Sequence, residues 1–307
     1  MSNANKLLEP APLRLRGSGG IELAADQFGP ADGPLVVFLH GGGQTRHSWK
    51  QTGAKLAASG MRVVTLDARG HGDSAWSEDG DYRRDTMVAD LLLVLEQLGA
   101  PAVVVGASMG GITGLLATAA PGGAAISALV LVDIVTRPER AGIERVIDFL
   151  GKHRNGFDNL EQVADAVAEY LPHRPRPANT DGLLRNLRQR DGRWYWHWDP
   201  DMLAHRAEDP SAMTEQMEAA ARKLTIPVLL VRGMRSDVVS SEGAAAFQEL
   251  VPHVQLVEIG GAAHTAAGDD NDSFTDAVAK FCSASPRIQA RSGAATVALA
   301  ADGRHYA

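Results

Sequence analysis

Six short runs of apolar, largely β-branched residues recur along the chain: LVVFLH (35–40), MRVVTLD (61–67), AVVVG (102–106), SALVLVD (127–133), IPVLLVRG (226–233) and VQLVEIGG (254–261). They are apolar at consecutive positions, so both faces of each strand need cover, as in a parallel sheet with helices on either side. Stretches with helical spacing lie between most of them, including YRRDTMVADLLLVLEQLGA, which stops at Gly99. An earlier pair near 13–16 and 21–27 suits an antiparallel hairpin at the sheet edge. The expectation is an α/β fold with a mostly parallel, doubly wound sheet and its ligand site at the carboxyl ends of the strands.

One interval breaks the alternation. Between the strand ending at Asp133 and the one starting at Ile226, the chain reads as helical and arginine-rich, without buried strands. This predicts a helical cap inserted after the sixth strand. The expected division is a core of 12–133 and 223–285, a cap of 134–222 and a tail of 286–307 with no clear periodicity. The cap segment carries DGRWYWHWDP, with three of the five tryptophans, Trp194, Trp196 and Trp198, at a period of two. Aromatic side chains commonly line pockets for apolar ligands, so these three are candidate substrate contacts, with packing of the cap against the core as the plainer role.

Composition narrows the partners. A formal net charge of −7 disfavours nucleic acid, whose phosphates need a basic face. A single cysteine, Cys282, excludes an internal disulfide framework or a cysteine metal cluster. No window reaches the roughly 18 apolar residues of a membrane span, and the N-terminus lacks a secretory pattern. A cytoplasmic setting without membrane attachment is therefore expected.

The chemistry concentrates around GASMGG (106–111). A strand runs into Gly-x-Ser-x-Gly and a helical pattern follows, the context in which this motif raises a serine on a sharp turn. Ser108 is the candidate nucleophile. The alternative is that Ser108 is a helix N-cap and the glycines only permit close packing. A serine hydroxyl needs a base held by a third group. His264, in the loop after the last strand, is the candidate base. Two aspartates stand at strand ends as candidate acids: Asp237 is preferred because its loop precedes a helix, and Asp133 is the rival. HGGG (40–43) follows the first core strand and offers closely approaching backbone N–H groups. Gly42, ahead of Gly43, and Met109 are the expected oxyanion donors.

With HGGG, DARGHGDS (67–74), GASMGG, RGMRSDVV (232–239) and GGAAHTAAGDDND (260–272) in this order, the chain resembles the α/β-hydrolase superfamily over about 20–284. It is similar to the capped group that includes esterases, epoxide hydrolases and cofactor-free haloperoxidases. Epoxide hydrolases and haloalkane dehalogenases of this fold carry aspartate at the nucleophile position, where this chain has Ser108. Ala263 replaces a glycine common before the histidine. The resemblance implies acyl transfer by Ser108, His264 and Asp237 without metal or organic cofactor. The expected substrate is a small or medium, largely apolar carboxylic ester or lactone. A cofactor-free oxygenase or perhydrolase, or a non-catalytic ligand receptor, are the alternatives on the same fold.

Overall fold

The computed structural model describes residues 9–99, 101–172, 174–177, 180–207, 210–264 and 271–284. Each expected run forms a strand of one sheet: β1 (Ala11–Arg16), β2 (Glu22–Phe28), β3 (Leu35–Leu39), β4 (Arg62–Leu66), β5 (Ala102–Ala107), β6 (Ile126–Val132), β9 (Val228–Gly233) and β10 (Gln255–Ile259). Strands β7 (Leu187–Arg190) and β8 (Arg193–Trp196) form a separate antiparallel hairpin. The main sheet has the order β1-β2-β4-β3-β5-β6-β9-β10. β1 and β2 pair antiparallel, β2 runs antiparallel to β4, and the remaining pairings are parallel.

Side chains alternate across the sheet as the period of two requires. Val37, Val64, Val104, Leu129 and Leu230 face one buried cluster. That cluster is covered by helices α2 (Arg84–Leu98), α3 (Met109–Ala119), α6 (Pro210–Ala221) and α7 (Ser241–Leu250). Val36, Phe38, Val63, Val105 and Val231 face the other cluster, covered by α1 (Lys50–Ala58) and α8 (Asn271–Ala284). The two-sided cover accounts for the unbroken apolar runs. Helix α2 ends where the sequence marks it: Gly99 has φ 73° and its N–H donates to the Leu95 carbonyl, a left-handed cap that glycine adopts without a Cβ penalty.

The segment after β6 departs from the all-helical expectation. It contains helices α4 (Arg140–Gly151) and α5 (Leu160–Tyr170), but also the β7–β8 hairpin. The period-two aromatics belong to that hairpin and the turn beyond it, where Trp196 and Trp198 stack at 4.9 Å in a third cluster with Val146, Leu150 and Phe157. Helix α6, inside the range expected for the cap, packs instead on the main sheet through Met217, Ala220 and Ala221. The expected tail of 286–307 lies outside the described residues. Among those that are described, no helix is long and apolar enough to cross a membrane.

Cys282 sits in α8, fully buried, and burial pushes its thiol up to about 12. A thiol kept protonated and inaccessible is a poor nucleophile. A thiol-reactive chromogen should therefore leave native protein unmodified and titrate one equivalent only in denaturant. Stoichiometric reaction without loss of structure would contradict this packing.

Candidate active site

The carboxyl ends of β3, β5 and β6 lie side by side because those strands are neighbours and parallel. Ser108 follows β5 with φ 44° and ψ −110°, a conformation that non-glycine residues rarely hold. The surrounding packing enforces the turn. A Cβ on Gly106 would come 2.4 Å from the Gly110 carbonyl oxygen, and one on Gly110 would come 2.6 Å from Leu39. Ser108 stands at the N-cap position of α3, yet its hydroxyl makes no capping hydrogen bond. The capping alternative is therefore not realised, and Ser108 lines a cavity of about 400 Å³ together with His264.

The acid that holds His264 is Asp133, not Asp237. His264 Nδ1 donates to Asp133 Oδ2 at 2.8 Å. Asp133 directly follows β6, has φ 49° and is fully buried. Its carboxylate also accepts from the Gly233 N–H at 3.0 Å and the Ser236 hydroxyl at 2.5 Å. Asp237 takes a different path because the chain curls just after β9, with the Ser236 N–H bonded to the Gly233 carbonyl at 3.0 Å. That turn presents Ser236 to Asp133 and leaves Asp237 facing cap helix α4, paired with Arg145 at 2.7 Å and 40% exposed.

The glycine loop after β3 is held at nearly every polar atom. The Gly41 N–H donates to Gln44 Oε1 at 3.0 Å. The Gly41 carbonyl accepts from His40 Nδ1 at 2.8 Å and from the Gln44 N–H at 3.0 Å. The Gly43 N–H donates to His71 Nε2 at 3.3 Å, and the Gly43 carbonyl accepts from His197 Nε2 at 3.2 Å. Among the described residues, the N–H groups of Gly42 and Met109 have no partner. Met109 is the first residue of α3, where backbone donors lack intrahelical acceptors.

Among the described residues, the buried imidazoles of His40, His71 and His197 each have a tautomer set by the N–H they accept from. His40 Nε2 accepts from the Ala68 N–H at 3.0 Å and His197 Nδ1 from the Gly72 N–H at 2.7 Å. His71 accepts from Gly43 and donates through Nδ1 to the Arg69 carbonyl at 3.0 Å. Burial lowers the pKa of His40 and lowers that of His197 to about 4. His197 lies in the inserted segment after β6, and its neighbour Asp199 ties that segment to the DARGHG segment and to Tyr82. The Asp199 N–H donates to the Gly70 carbonyl at 2.8 Å, and the Tyr82 hydroxyl donates to Asp199 Oδ2 at 2.5 Å. The DARGHG segment is itself anchored to α2 by Arg69, which donates twice to Asp90 at 2.6 Å.

Sequence reasoning passed over His197 as a residue between tryptophans. A histidine in an otherwise apolar run beside a cap aromatic was the available signal. Of the three tryptophans, Trp196 and Trp198 line the cavity with Ser108. Trp194 does not; its backbone bridges to Phe157 and its ring packs within the cap cluster.

The family model for the alpha/beta hydrolase fold matches residues 34–270. The chain belongs to the alpha/beta hydrolase family. Among curated relatives of this alpha/beta hydrolase, esterase Rv0045c of Mycobacterium tuberculosis is 32% identical over 234 residues, covering 74% of each chain. The sn-1-specific diacylglycerol lipase ABHD11 of Mus musculus is 31% identical over 270 residues, covering 82% of each. The crystal structure of E-2-(acetamidomethylene)succinate hydrolase superposes with a TM-score of 0.79 at 22% identity, over 90% of this chain and all of that one, and so shares the fold.

The lowered pKa of His197 gives the hydrolase a defined acid response. His197 titrates near its ordinary 6.5 when unfolded and about 4 when folded. Its contribution is complete above pH 6.5 and is lost as pH falls toward 4. Unfolding free energy should drop by about 2 kcal/mol between pH 7.5 and 5 on account of this ring. Denaturant titrations at the two pH values should show a fall smaller by about that amount in His197→Gln. An equal fall in both proteins would refute the assignment.

Proposed function

We propose that this hydrolase cleaves small or medium, largely apolar carboxylic esters or lactones through an acyl-enzyme on Ser108. The observation that carries the reading is the His264–Asp133 pair, 2.8 Å apart and opening onto the cavity that holds the strained Ser108. In the first half-reaction, Ser108 Oγ bonds to the carbonyl carbon while His264 Nε2 takes its proton. The protonated ring then gives that proton to the leaving alkoxide as the carbon–oxygen bond breaks. In the second, His264 removes a proton from water, whose oxygen attacks the acyl carbon. Collapse releases the acid and returns the proton to Ser108.

Asp133 fixes the Nδ1–H tautomer, so that Nε2 is free to act as base, and stabilises the imidazolium. The Gly42 and Met109 N–H groups serve as oxyanion donors, which suits their lack of other partners. The apolar preference is supported by Val146, Phe149, Val167, Leu171, Trp196 and Trp198 on the cavity wall. The relatives named esterase and diacylglycerol lipase favour ester substrates. Release of the acid by water needs no cofactor.

A small fluorophosphonate should form an adduct that maps to Ser108 by peptide mass and is absent from Ser108→Ala. Failure to label folded protein would defeat the acyl-enzyme reading. Against short- and medium-chain p-nitrophenyl esters, Asp133→Asn should lower kcat on the order of 1,000- to 10,000-fold, the scale of losing the correct tautomer. Asp237→Asn breaks only a half-exposed ion pair and should stay within about threefold. The reverse ranking would return the role to Asp237.

A further inference from the structure

The hydrogen bonds around the glycine loop form a directed chain that starts in the cap. His197 Nε2–H donates to the Gly43 carbonyl at 3.2 Å. That carbonyl shares a peptide plane with the Gln44 N–H, which donates to the Gly41 carbonyl at 3.0 Å. The Gly41 carbonyl in turn shares a peptide plane with the Gly42 N–H. In a trans peptide the C=O and N–H point in opposite directions. Fixing each carbonyl therefore aims the N–H on the far side of its plane, and the Gly42 N–H is the last donor in the line.

We propose that His197 is a positioning residue: from the cap, it heads a two-peptide relay through Gly43–Gln44 and Gly41–Gly42 that aims and polarises the Gly42 N–H toward the oxyanion. This rests on Gly42 being an oxyanion donor, as proposed above. Three observations support it. His197 is 1% exposed, so bulk water does not compete for its bonds. The Gly72 N–H, 2.7 Å from Nδ1, compels the tautomer with the proton on Nε2, so the ring can only donate toward Gly43. Gly43 has φ 76°, a region glycine enters without steric cost, so side-chain sterics do not fix the loop and its direction depends on its hydrogen bonds. Linked hydrogen bonds of this kind strengthen one another as each peptide polarises the next. The cap thereby takes part in the acceleration of the reaction as well as enclosing the substrate.

The two ring nitrogens can be replaced separately. Glutamine places an amide N–H near the position of Nε2, and asparagine places a carbonyl oxygen near that of Nδ1. His197→Gln keeps the donor to Gly43 and gives up the acceptor for Gly72. His197→Asn does the reverse. At pH 7.5, His197→Asn should lose about 10- to 100-fold in kcat, less than the 100- to 1000-fold of deleting an oxyanion donor, with KM within about threefold. His197→Gln should keep at least a third of the wild-type kcat.

A readout insensitive to mere loosening is the kcat ratio of an oxo ester to its thionoester, since sulfur accepts hydrogen bonds poorly. The ratio should fall in His197→Asn and hold in His197→Gln. Circular dichroism and thermal melts establish which variants fold, and either one suffices. A folded, inactive His197→Gln overturns the relay, and so does a folded His197→Asn with wild-type kcat and ratio. Fluorophosphonate labelling of the wild type separates the two levels of inference. Without labelling, the acyl-enzyme reading itself fails; with labelling but unchanged His197→Asn kinetics, only the relay fails.

Discussion

A carboxylate with no access to water must be surrounded by donors, and Asp133 organises the site for that reason. Its three donors come from separate places: the Gly233 N–H at the end of β9, the Ser236 hydroxyl in the turn beyond, and His264 after β10. Meeting the demand of one buried charge thus fixes the register of two loops against the end of β6. It also orients the imidazole that lines the cavity with Ser108. Asp237, half-exposed and paired with Arg145, does not bring these loops together.

A second layer of order comes from buried histidines. His40, His71 and His197 bind backbone groups, and their protonation states follow from the donors they accept. Two of them sit in the core segments HGGG and DARGHG, and the third arrives from the cap. The glycine loop is consequently shared between the sheet and the inserted segment. The inserted segment supplies Trp196 and Trp198 to the cavity wall as well as His197 to the loop.

Local signals were legible where a short stretch carries its own instructions. The consecutive apolar runs required two-sided burial, and the sheet has it. Gly106, Ser108 and Gly110 lie within five residues, and the turn they form packs Gly106 against its own helix and Gly110 against Leu39 of the neighbouring strand. The hairpin β7–β8 was less legible because arginines occupy its outer positions and the surrounding segment has helical composition. Its pairing partner, rather than its propensity, makes it a strand.

The sequence by itself determined the fold class and the position of the serine on its strained turn, and it narrowed the partners to one histidine and two candidate aspartates. Each is carried by periodicity or by the residue types of a short motif. Only the tertiary structure decided which aspartate meets His264, which tryptophans reach the cavity, and that His197 grips the glycine loop. Those outcomes depend on how a turn curls after β9 and how a cap hairpin seats on loops more than 100 residues away. The physical reason is that hydrogen bonding acts over about 3 Å of space, and distance along a chain does not encode which groups come that close.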